Sequence, residues 1–336
     1  MEEHLERAGL NGPFLVVSQP RIFKAIGAGF KKRFPVVLIP DGERAKTLTT
    51  VSRLLDRVAG AGMTRQSTLI ALGGGVVGDI TGFVASLYMR GIAVVQVPTT
   101  LLAQVDSSIG GKTGVNHRTV KNLVGTFHQP SLVLADPLPL KFLSDREYSS
   151  GLYESLKYGI ISDPALFETF VNHLDRLRKR DPDTVEAMVA WCAEIKAAIV
   201  SADEREGDQR RVLNLGHTVG HALESAGNFR RLKHGEAVGY GMIAAARISA
   251  SLGRMTRVDA QRVEDAVRSI GGLPSLEGTK LVPLIKALQK DKKVRDGAVH
   301  FILPRRIGQV EITRDVPLPL VRETVAALIH ESKTGR

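Results

Sequence analysis

The sequence predicts an α/β domain in the first part of the chain and a helical domain in the second. In the first part, short apolar runs rich in β-branched residues alternate with stretches whose apolar residues recur at helical spacing. That alternation is typical of a parallel sheet covered by helices. After about residue 148, long helical patterns take over. We therefore expect one domain over residues 1–148 and another over residues 149–336.

Turn residues and glycines mark the ends of the elements expected in the first domain. Gly12–Ser18 and Phe34–Pro40 are short β-branched runs between turn residues, and both are expected to be strands. TLTTVSRLLDRVAGAG has apolar residues at helical spacing and stops at a glycine. STLIALGGG and GIAVVQVP are expected strands on either side of a helix over Val76–Met89. This order places a group of glycines where a strand gives way to a helix.

The second domain is predicted from helical periodicity. TVEAMVAWCAEIKAAIVSA places Met188, Trp191, Ile195 and Ile199 along one helical face. GEAVGYGMIAAARISASLG is rich in small residues, which suits close packing between helices. TRVDAQRVEDAVRSIGG, LVPLIKALQK and LVRETVAALIHE are also expected to be helices. A cleft between two such domains is a natural place for a ligand.

Composition narrows the class of protein. The chain has 336 residues, of which 43% are hydrophobic and 24% charged, so a packed core is expected. No long apolar run predicts a transmembrane helix, and the start MEEHLERAGL does not resemble a secretory signal. Cys192 is the only cysteine, which excludes an internal disulfide and fits a reducing compartment. A cytoplasmic location is therefore expected.

The net charge of +11 allows three kinds of partner: nucleic acid, an anionic membrane or a small anionic substrate. The basic clusters are short, the longest being Arg176–Asp181. Aromatic residues make up 5% of the chain and do not interleave with these clusters, which disfavours base stacking. We expect an ordinary charged surface and a small anionic substrate, with no nucleic acid and no membrane.

The glycine turn in LIALGGGVVGDITGF follows an expected strand and begins an expected helix. Gly73, Gly75 and Gly78 would let a diphosphate approach backbone amides at a helix N-terminus. Glycines at such a turn also serve plain packing of strand against helix. The acid that usually binds a ribose, about 20 residues further on, is missing, since Pro98 and Thr99 stand there and the next acid is Asp106. Taken alone, the turn leaves both readings open.

A polar segment, PTTLLAQVDSSIGGKTGVNHRTVKN, follows the next strand. GGKT resembles the end of a phosphate loop, but Asp106 stands where that motif requires glycine, which excludes an ATP-binding loop. Lys112, Lys121 and Asn122 are still able to hold an anion. The alternative is a polar loop with exposed lysines.

Histidines and a glutamate suggest a metal site. His217 and His221 lie four residues apart in LNLGHTVGHALES, which places them on one helix face. Both are able to bind one ion, although the glutamate of an HExxH metallopeptidase is missing. His234 precedes another helix, and Glu154 lies early in the first helix of the second domain. One glutamate and two histidines would leave a zinc ion an open position, as catalysis requires. Core or surface histidines are the alternative.

Several segments together resemble the 3-dehydroquinate synthase family, in its order and spacing. They are GGGVVGDITGF, VPTTLLAQVDSSIGGKTGVN, KNLVGTFHQP, GLYESLKYG, LNLGHTVGHALE and HGEAVGYGM, with DKKVRDGAVHFILPRRIG resembling a later lysine block. The resemblance implies a Rossmann-like NAD-binding α/β domain followed by an all-α domain that binds metal and substrate. It further implies an active site in the cleft between them, a zinc or cobalt ion, and a homodimer.

The implied activity is that of a lyase of the shikimate pathway, in aromatic amino acid biosynthesis. It would convert 3-deoxy-D-arabino-heptulosonate 7-phosphate to 3-dehydroquinate and phosphate. NAD would oxidise a substrate hydroxyl, phosphate would leave by β-elimination, and the ketone would be reduced again. Ring opening and an intramolecular aldol reaction would close the carbocycle, and NAD would be regenerated. The main task of the protein would be to hold the substrate in reactive conformations.

The resemblance also assigns residues. The metal ligands would be Glu154, His217 and His234, so only the first histidine of the close pair would bind the ion. Substrate would contact Asp106, Lys112, Asn122, Lys157, Lys196, Arg210, Asn214, His221 and one of Lys292 and Lys293, while Arg90 would reach the neighbouring subunit's site. NAD would be held by Glu43, Lys46, Gly74, Gly75, Val76, Asp79, Thr99, Thr100, Leu102, Lys112 and Lys121.

Some positions depart from the family's usual pattern. Members usually begin with an extra strand pair, and we expect either that this pair is missing here or that the start codon is misplaced. Ser18 and Pro20 stand where an Asp and an Asn usually hold the adenosine ribose, so that contact is expected to differ. Three other functions stay open: a related cyclase acting on another sugar phosphate, a polyol dehydrogenase, and a basic binding protein. Arg210 and Lys196 favour a substrate that bears a carboxylate.

Overall fold

A computed structural model describes residues 1–118, 120–227, 231–292 and 299–334, apart from the side chains of residues 289–292 and 334. The chain divides into two compact units, residues 1–143 and residues 144–336. The first unit contains a parallel sheet with helices, and the second is mainly helical. The predicted fold class, an α/β domain followed by a helical one, is therefore confirmed.

The first unit is built on a five-stranded parallel sheet. The strands are β1 (Phe14–Ser18), β2 (Val36–Leu38), β3 (Thr68–Gly73), β4 (Ala93–Pro98), β5 (Lys112–His117), β6 (Val120–Phe127) and β7 (Leu132–Val133). The sheet has the order β2-β1-β3-β4-β7, and β5 pairs with β6 as an antiparallel hairpin. β3 is buried along its whole length, which explains its continuous apolar run. This hairpin was not predicted from the sequence.

Alternate residues of the sheet face two apolar cores. The helices of this unit are α1 (Glu2–Arg7), α2 (Pro20–Ile26), α3 (Ala28–Lys31), α4 (Leu48–Gly60) and α5 (Gly75–Leu87). Val17, Leu69 and Ala71 pack in one cluster with α4 and α5. Val16 and Ile70 point the other way, into a cluster with α1, α2 and α3. The period of two along each strand therefore covers both faces of the sheet with helices.

The second unit is helical apart from one hairpin. Its helices are α6 (Asp145–Ile161), α7 (Pro164–Asn172), α8 (Leu174–Arg178), α9 (Pro182–Ala202), α10 (His217–Ala226), α11 (His234–Ser251), α12 (Arg257–Ile270), α13 (Leu281–Lys292) and α14 (Leu318–Thr334). The strands β8 (Phe301–Arg306) and β9 (Gln309–Thr313) pair antiparallel, which the prediction of an all-α domain did not include. Across the described ranges, every helix is too short or too polar to cross a lipid bilayer.

Glycines allow α11 to approach its neighbours at backbone distance. A Cβ atom on Gly235 would lie 1.9 Å from the carbonyl oxygen of Ser150 in α6. One on Gly241 would lie 1.8 Å from the carbonyl oxygen of Gly216, which precedes α10. Side chains at these positions would force the three helices apart. The small residues noted in the sequence thus bring the starts of α10 and α11 close to α6.

Gly241→Ala is expected to destabilise the protein by about 1–3 kcal/mol, because the added methyl group overpacks the contact between α11 and Gly216. The measurement is urea unfolding followed by far-UV circular dichroism. Gly60→Ala is the control, since Gly60 is helical and a Cβ atom there meets nothing within 4 Å. It should leave stability unchanged or slightly higher. Equal midpoints for Gly241→Ala and the unchanged protein would contradict the close packing.

Candidate functional site

Glu154, His217 and His234 meet within the second unit. Their potential ligand atoms all lie within 4.8 Å of one another. Oε1 of Glu154 is 3.7 Å from Nε2 of His217 and 3.5 Å from Nε2 of His234. Two ligands of a tetrahedral zinc ion, with bonds near 2.0–2.1 Å, lie about 3.3 Å apart. A small contraction of this group would therefore suit one such ion.

Each member of this group is fixed by a helix. Glu154 lies in the middle of α6 with 0% of its surface exposed, whereas His217 and His234 are the first residues of α10 and α11. Nζ of Lys157, one turn along α6, is 2.5 Å from Oε2 of Glu154. Oε1 is buried and accepts no hydrogen bond from any residue that the structure describes. A buried carboxylate oxygen facing two imidazoles fits a metal ligand, because burial without a partner is costly.

Burial keeps His217 neutral. Desolvation lowers the pKa of His217 well below its ordinary value, and the nearby Lys157, His234 and His221 lower it further. Nδ1 of His217 is 3.1 Å from the carbonyl oxygen of Leu215, which is able only to accept a hydrogen bond. Nδ1 therefore carries the hydrogen, and the lone pair of Nε2 faces Glu154. A neutral imidazole with a free lone pair is the form that binds metal ions.

An ion-pair network joins the first turns of α6 and α11. Arg146 donates to both carboxylate oxygens of Glu236, at 2.5 and 2.8 Å. Glu236 also accepts from the backbone N–H of Lys233 at 2.7 Å, and the Lys233 side chain pairs with Glu147. This network holds the turn that begins with His234 against α6. Glu236 was not predicted from the sequence, although a glutamate three residues after the N-cap, here Lys233, is a known capping signal.

Cationic side chains are buried in the same unit. Lys157, Lys196 and Arg210 have exposed fractions of 1%, 5% and 2%. Arg210 and Asn214 belong to a short 3₁₀ helix, Gln209–Asn214, which packs on α6 and α9, the helices of Lys157 and Lys196. Burial of three cations is unusual and favours anionic neighbours or an anionic ligand.

His221 lies beside the three candidate ligands. Its ring centroid is 5.3 Å from that of His217 and 6.0 Å from that of His234. The side chain is exposed, whereas His217 is buried. The two histidines of the close pair therefore have different surroundings, which their spacing alone did not distinguish.

Asp203 organises the loop that leads to Arg210. Its carboxylate accepts hydrogen bonds from the backbone N–H groups of Arg210, Gly207 and Asp208, at 3.0, 2.7 and 2.8 Å. These bonds lower the pKa of Asp203 to about 2. Asp203 was not predicted from the sequence. An aspartate directly after a long helix and before a glycine was the available signal.

In the first unit, residues assigned to NAD share one polar network. Nζ of Lys46 is 2.5 Å from Oδ2 of Asp79 and also bonds Oδ1 of Asn122. Asn116 donates to Oε1 of Glu43 and accepts from the backbone N–H of Asn122, both at 2.9 Å. Desolvation raises the pKa of Asp79, although Lys46 opposes it. The network brings Asn122, which the resemblance assigned to substrate, beside these residues. Asn116 was not predicted from the sequence.

The glycine turn has two physical roles. A Cβ atom on Gly73 would lie 2.4 Å from a side chain of α5, and one on Gly78 would lie 2.6 Å from Oε1 of Gln96. Gly73 and Gly78 thus serve packing between strand and helix. Gly74 precedes α5 and Gly75 begins it. Amides in the first turn of a helix lack intrahelical partners, so this end of α5 is able to bind an anion.

The segment after β4 lies beside the glycine turn. The backbone N–H of Thr99 donates to the carbonyl oxygen of Gly73 at 3.0 Å. Oγ1 of Thr100 accepts from the backbone N–H of Ala103 at 3.2 Å. The half-buried Leu102 and Asp106 follow, and Asp106 belongs to a π-helical turn at 103–107. Val76, in the first turn of α5, is half-buried too.

The other predicted contacts are more scattered. Lys112 is exposed at the first position of β5, and Lys121 is half-buried on β6. Arg90 is exposed after α5 with φ of 67°, a backbone conformation that side chains rarely adopt. Lys293 lies outside the described residues, as does the side chain of Lys292.

Asp203→Asn is expected to destabilise the protein at neutral pH, since asparagine carries no charge for the three N–H groups to stabilise. The folded-state pKa is about 2 and the ordinary value is 3.8. The stabilisation is therefore full well above the ordinary value and is lost as the pH falls through about 2. Urea unfolding followed by Trp191 fluorescence should show a wider gap from the unchanged protein at neutral pH than near pH 3.

Asp208→Asn is the matched control in the same loop, because the Asp208 side chain is 82% exposed. It should leave the unfolding midpoint unchanged at both pH values. A deficit of Asp203→Asn that is the same at both pH values would show that the charge does not stabilise the loop.

Both units match models of one family. Residues 36–150 match the model described as 3-dehydroquinate synthase N-terminal, and residues 151–294 match 3-dehydroquinate synthase C-terminal. A 3-dehydroquinate synthase of Nostoc sp. is 48% identical over 324 residues, which cover 93% of this chain and 88% of that protein. The resemblance stated from the sequence is therefore confirmed.

Solved structures of sugar-phosphate cyclases share the fold. A 2-epi-5-epi-valiolone synthase from Streptomyces hygroscopicus, with NAD⁺ and Zn²⁺ bound, has a TM-score of 0.89 and 30% identity over 96% of this chain and 92% of that one. A 2-deoxy-scyllo-inosose synthase complexed with carbaglucose-6-phosphate, NAD⁺ and Co²⁺ has a TM-score of 0.86 and 29% identity over 95% and 91%. Since the family models span both units, this chain belongs to the 3-dehydroquinate synthase family.

Proposed function

We propose that the chain catalyses the reaction of its family. It would convert 3-deoxy-D-arabino-heptulosonate 7-phosphate to 3-dehydroquinate and phosphate, as a lyase that depends on NAD and a divalent metal ion. The observation that carries the proposal is the meeting of Glu154, His217 and His234 beside the buried Lys157. The family match and the NAD and metal in related structures support it.

The donor set suits zinc or cobalt. One carboxylate oxygen and two imidazole nitrogens leave a tetrahedral ion one open position, as in catalytic zinc sites. Bound there, the ion would polarise a substrate hydroxyl and lower its pKa. The carboxylate of Glu154 would neutralise part of the charge of the ion. Lys157 pairs with the other oxygen of that carboxylate and would reduce the negative charge that the ion meets. His217 would stay neutral because of its burial.

We assign NAD to the first unit. When bound, NAD accepts and returns a hydride, so it is not consumed. The N-terminus of α5 at Gly74, Gly75 and Val76 would face its diphosphate. The remaining proposed contacts come from the polar network and from the segments around it: Glu43, Lys46, Asp79, Thr99, Thr100, Leu102, Lys112 and Lys121.

A substrate with a phosphate and a carboxylate requires cations. Lys157, Lys196 and Arg210 would bind it through charge-assisted hydrogen bonds, and their burial strengthens such bonds. The exposed His221 would face the phosphate and help to move a proton. The other proposed contacts are Asp106, Lys112, Asn122, Asn214 and one of Lys292 and Lys293. Arg90 would reach the neighbouring subunit of a homodimer.

The test is an assay of phosphate release with catalytic NAD⁺, with and without a chelator. We expect phosphate release without net NADH, and its loss when the metal is removed. Net NADH formation from a polyol would instead indicate a dehydrogenase. Equal turnover of a sugar phosphate that lacks the carboxylate would indicate a related cyclase, and salt-sensitive nucleic-acid binding without metal uptake would indicate a binding protein.

His217→Ala is expected to lose bound zinc and to slow phosphate release by at least about 10²-fold, because a ligand is removed. His221→Ala should keep its zinc and still lose about 10²–10⁴-fold in rate, as expected for a group that moves a proton. Metal content is measured by atomic absorption and phosphate by a colorimetric assay.

The control is His330→Ala, an exposed position on α14, which should change neither zinc content nor rate. Full activity of zinc-free His217→Ala would remove the metal from the reaction. Loss of zinc from His221→Ala would place the ion against the second histidine of the pair.

A further inference from the structure

Glu224 faces the second ring nitrogen of His234. Its Oε2 lies 3.3 Å from Nδ1 of that ring, while Nε2 is 3.5 Å from Oε1 of Glu154. The two nitrogens therefore face two different carboxylates. Glu224 belongs to α10 and is 5% exposed. Glu224 ends the segment LNLGHTVGHALE, but no role was predicted for it from the sequence.

We propose that Glu224 is a positioning residue, which fixes His234 to bind the metal ion through Nε2. The proposal rests on the proposed function, because it needs the ion at Glu154, His217 and His234. A carboxylate accepts hydrogen bonds, so Nδ1 of His234 carries the hydrogen and Nε2 keeps its lone pair. The carboxylate also holds the plane of the ring and makes the imidazole a stronger ligand.

His217 and His234 both carry their hydrogen on Nδ1, but the acceptor of that hydrogen differs between the two rings. Nδ1 of His217 donates to the carbonyl oxygen of Leu215 at 3.1 Å, which is a neutral acceptor next to it in the chain. His234 begins α11 and uses a charged acceptor from α10 instead. In both rings Nε2 is left facing Glu154. The symmetry of the result indicates that the acceptor behind each ring has the same task.

The place of Glu224 on α10 supports this role. Glu224 follows His217 by seven residues, about two helical turns, so both side chains lie on one face of α10. A single helix therefore supplies one ligand and the support of another. A leucine would fill a buried helix position without the desolvation cost of a carboxylate. The hydrogen bond from His234 offsets part of that desolvation cost.

A different arrangement would make Glu224 itself a ligand. Potential ligand atoms of His221, Glu224 and His234 also lie within 4.8 Å of one another. This group shares His234 with the first, but it turns to the opposite nitrogen of the ring and includes the exposed His221. Glu154 and His217 are both buried, which favours the first group for a tightly held ion.

The test measures Co²⁺ binding, not turnover. We expect Glu224→Ala to bind Co²⁺ about 10–100-fold more weakly than the unchanged protein and to alter the visible absorption spectrum of the bound ion. Glu224→Gln keeps an amide oxygen that accepts from Nδ1, so its affinity should lie between the two. Dissociation constants come from competition with a chelator, and circular dichroism checks the fold.

Glu264→Gln is the matched control. Glu264 is another buried carboxylate of the second unit, which pairs with Arg247 and Arg268. Its replacement should lower stability and leave both the Co²⁺ affinity and the spectrum unchanged. His217→Ala, run in parallel, reports on the proposed metal site itself.

The outcomes separate the two proposals. If His217→Ala loses Co²⁺ and both Glu224 variants keep its affinity and spectrum, the role of Glu224 is overturned and the metal site stands. If Glu224→Ala loses Co²⁺ and His217→Ala keeps it, Glu224 is a ligand and the positioning role is wrong. Unchanged binding in all three variants would overturn both proposals.

Discussion

The buried carboxylate of Glu154 is the constraint on which the second unit depends. A charge with no exposed surface is unstable unless cationic or metal partners surround it. Lys157 meets one oxygen from the next turn of the same helix, and the rings of His217 and His234 face the other. Those rings come from the first residues of two other helices. Three helices must therefore meet around one group.

Close helix packing makes that meeting possible. Gly235 and Gly241 leave no room for a Cβ atom between α11 and its neighbours, so backbone meets backbone there. The charged network of Arg146 and Glu236 then fixes the turn at which His234 begins. Small residues set the distance between the helices, and polar residues set their register. Neither would position the imidazoles without the other.

Local patterns predicted the fold, and long-range contacts account for what was missed. Periodicity is visible in a short window, so the first four strands of the parallel sheet and most of the long helices were predicted from the sequence. β6 has only exposed and half-buried positions, and its apolar residues do not alternate with polar ones, so the sequence carried no strand period there. The spacing of His217 and His221 showed that a metal was feasible but not which ring would bind it. That choice depends on where α11 begins, which only tertiary packing decides. Asn116 and Glu224 were missed because their contacts with Glu43 and His234 join different elements of the fold, which periodicity does not show.

The glycine turn alone does not establish that the first unit binds a nucleotide. A Cβ atom on Gly73 would lie 2.4 Å from the side chain of Val77, whereas one on Gly78 would meet only the flexible end of Gln96. Packing of strand against helix therefore explains Gly73 with or without a nucleotide. The case for NAD comes instead from the neighbours of α5, where the buried Lys46 and the half-buried Asp79 form an ion pair beside Asn122. Desolvation of that pair costs free energy, and a fold that required only packing would place apolar side chains there.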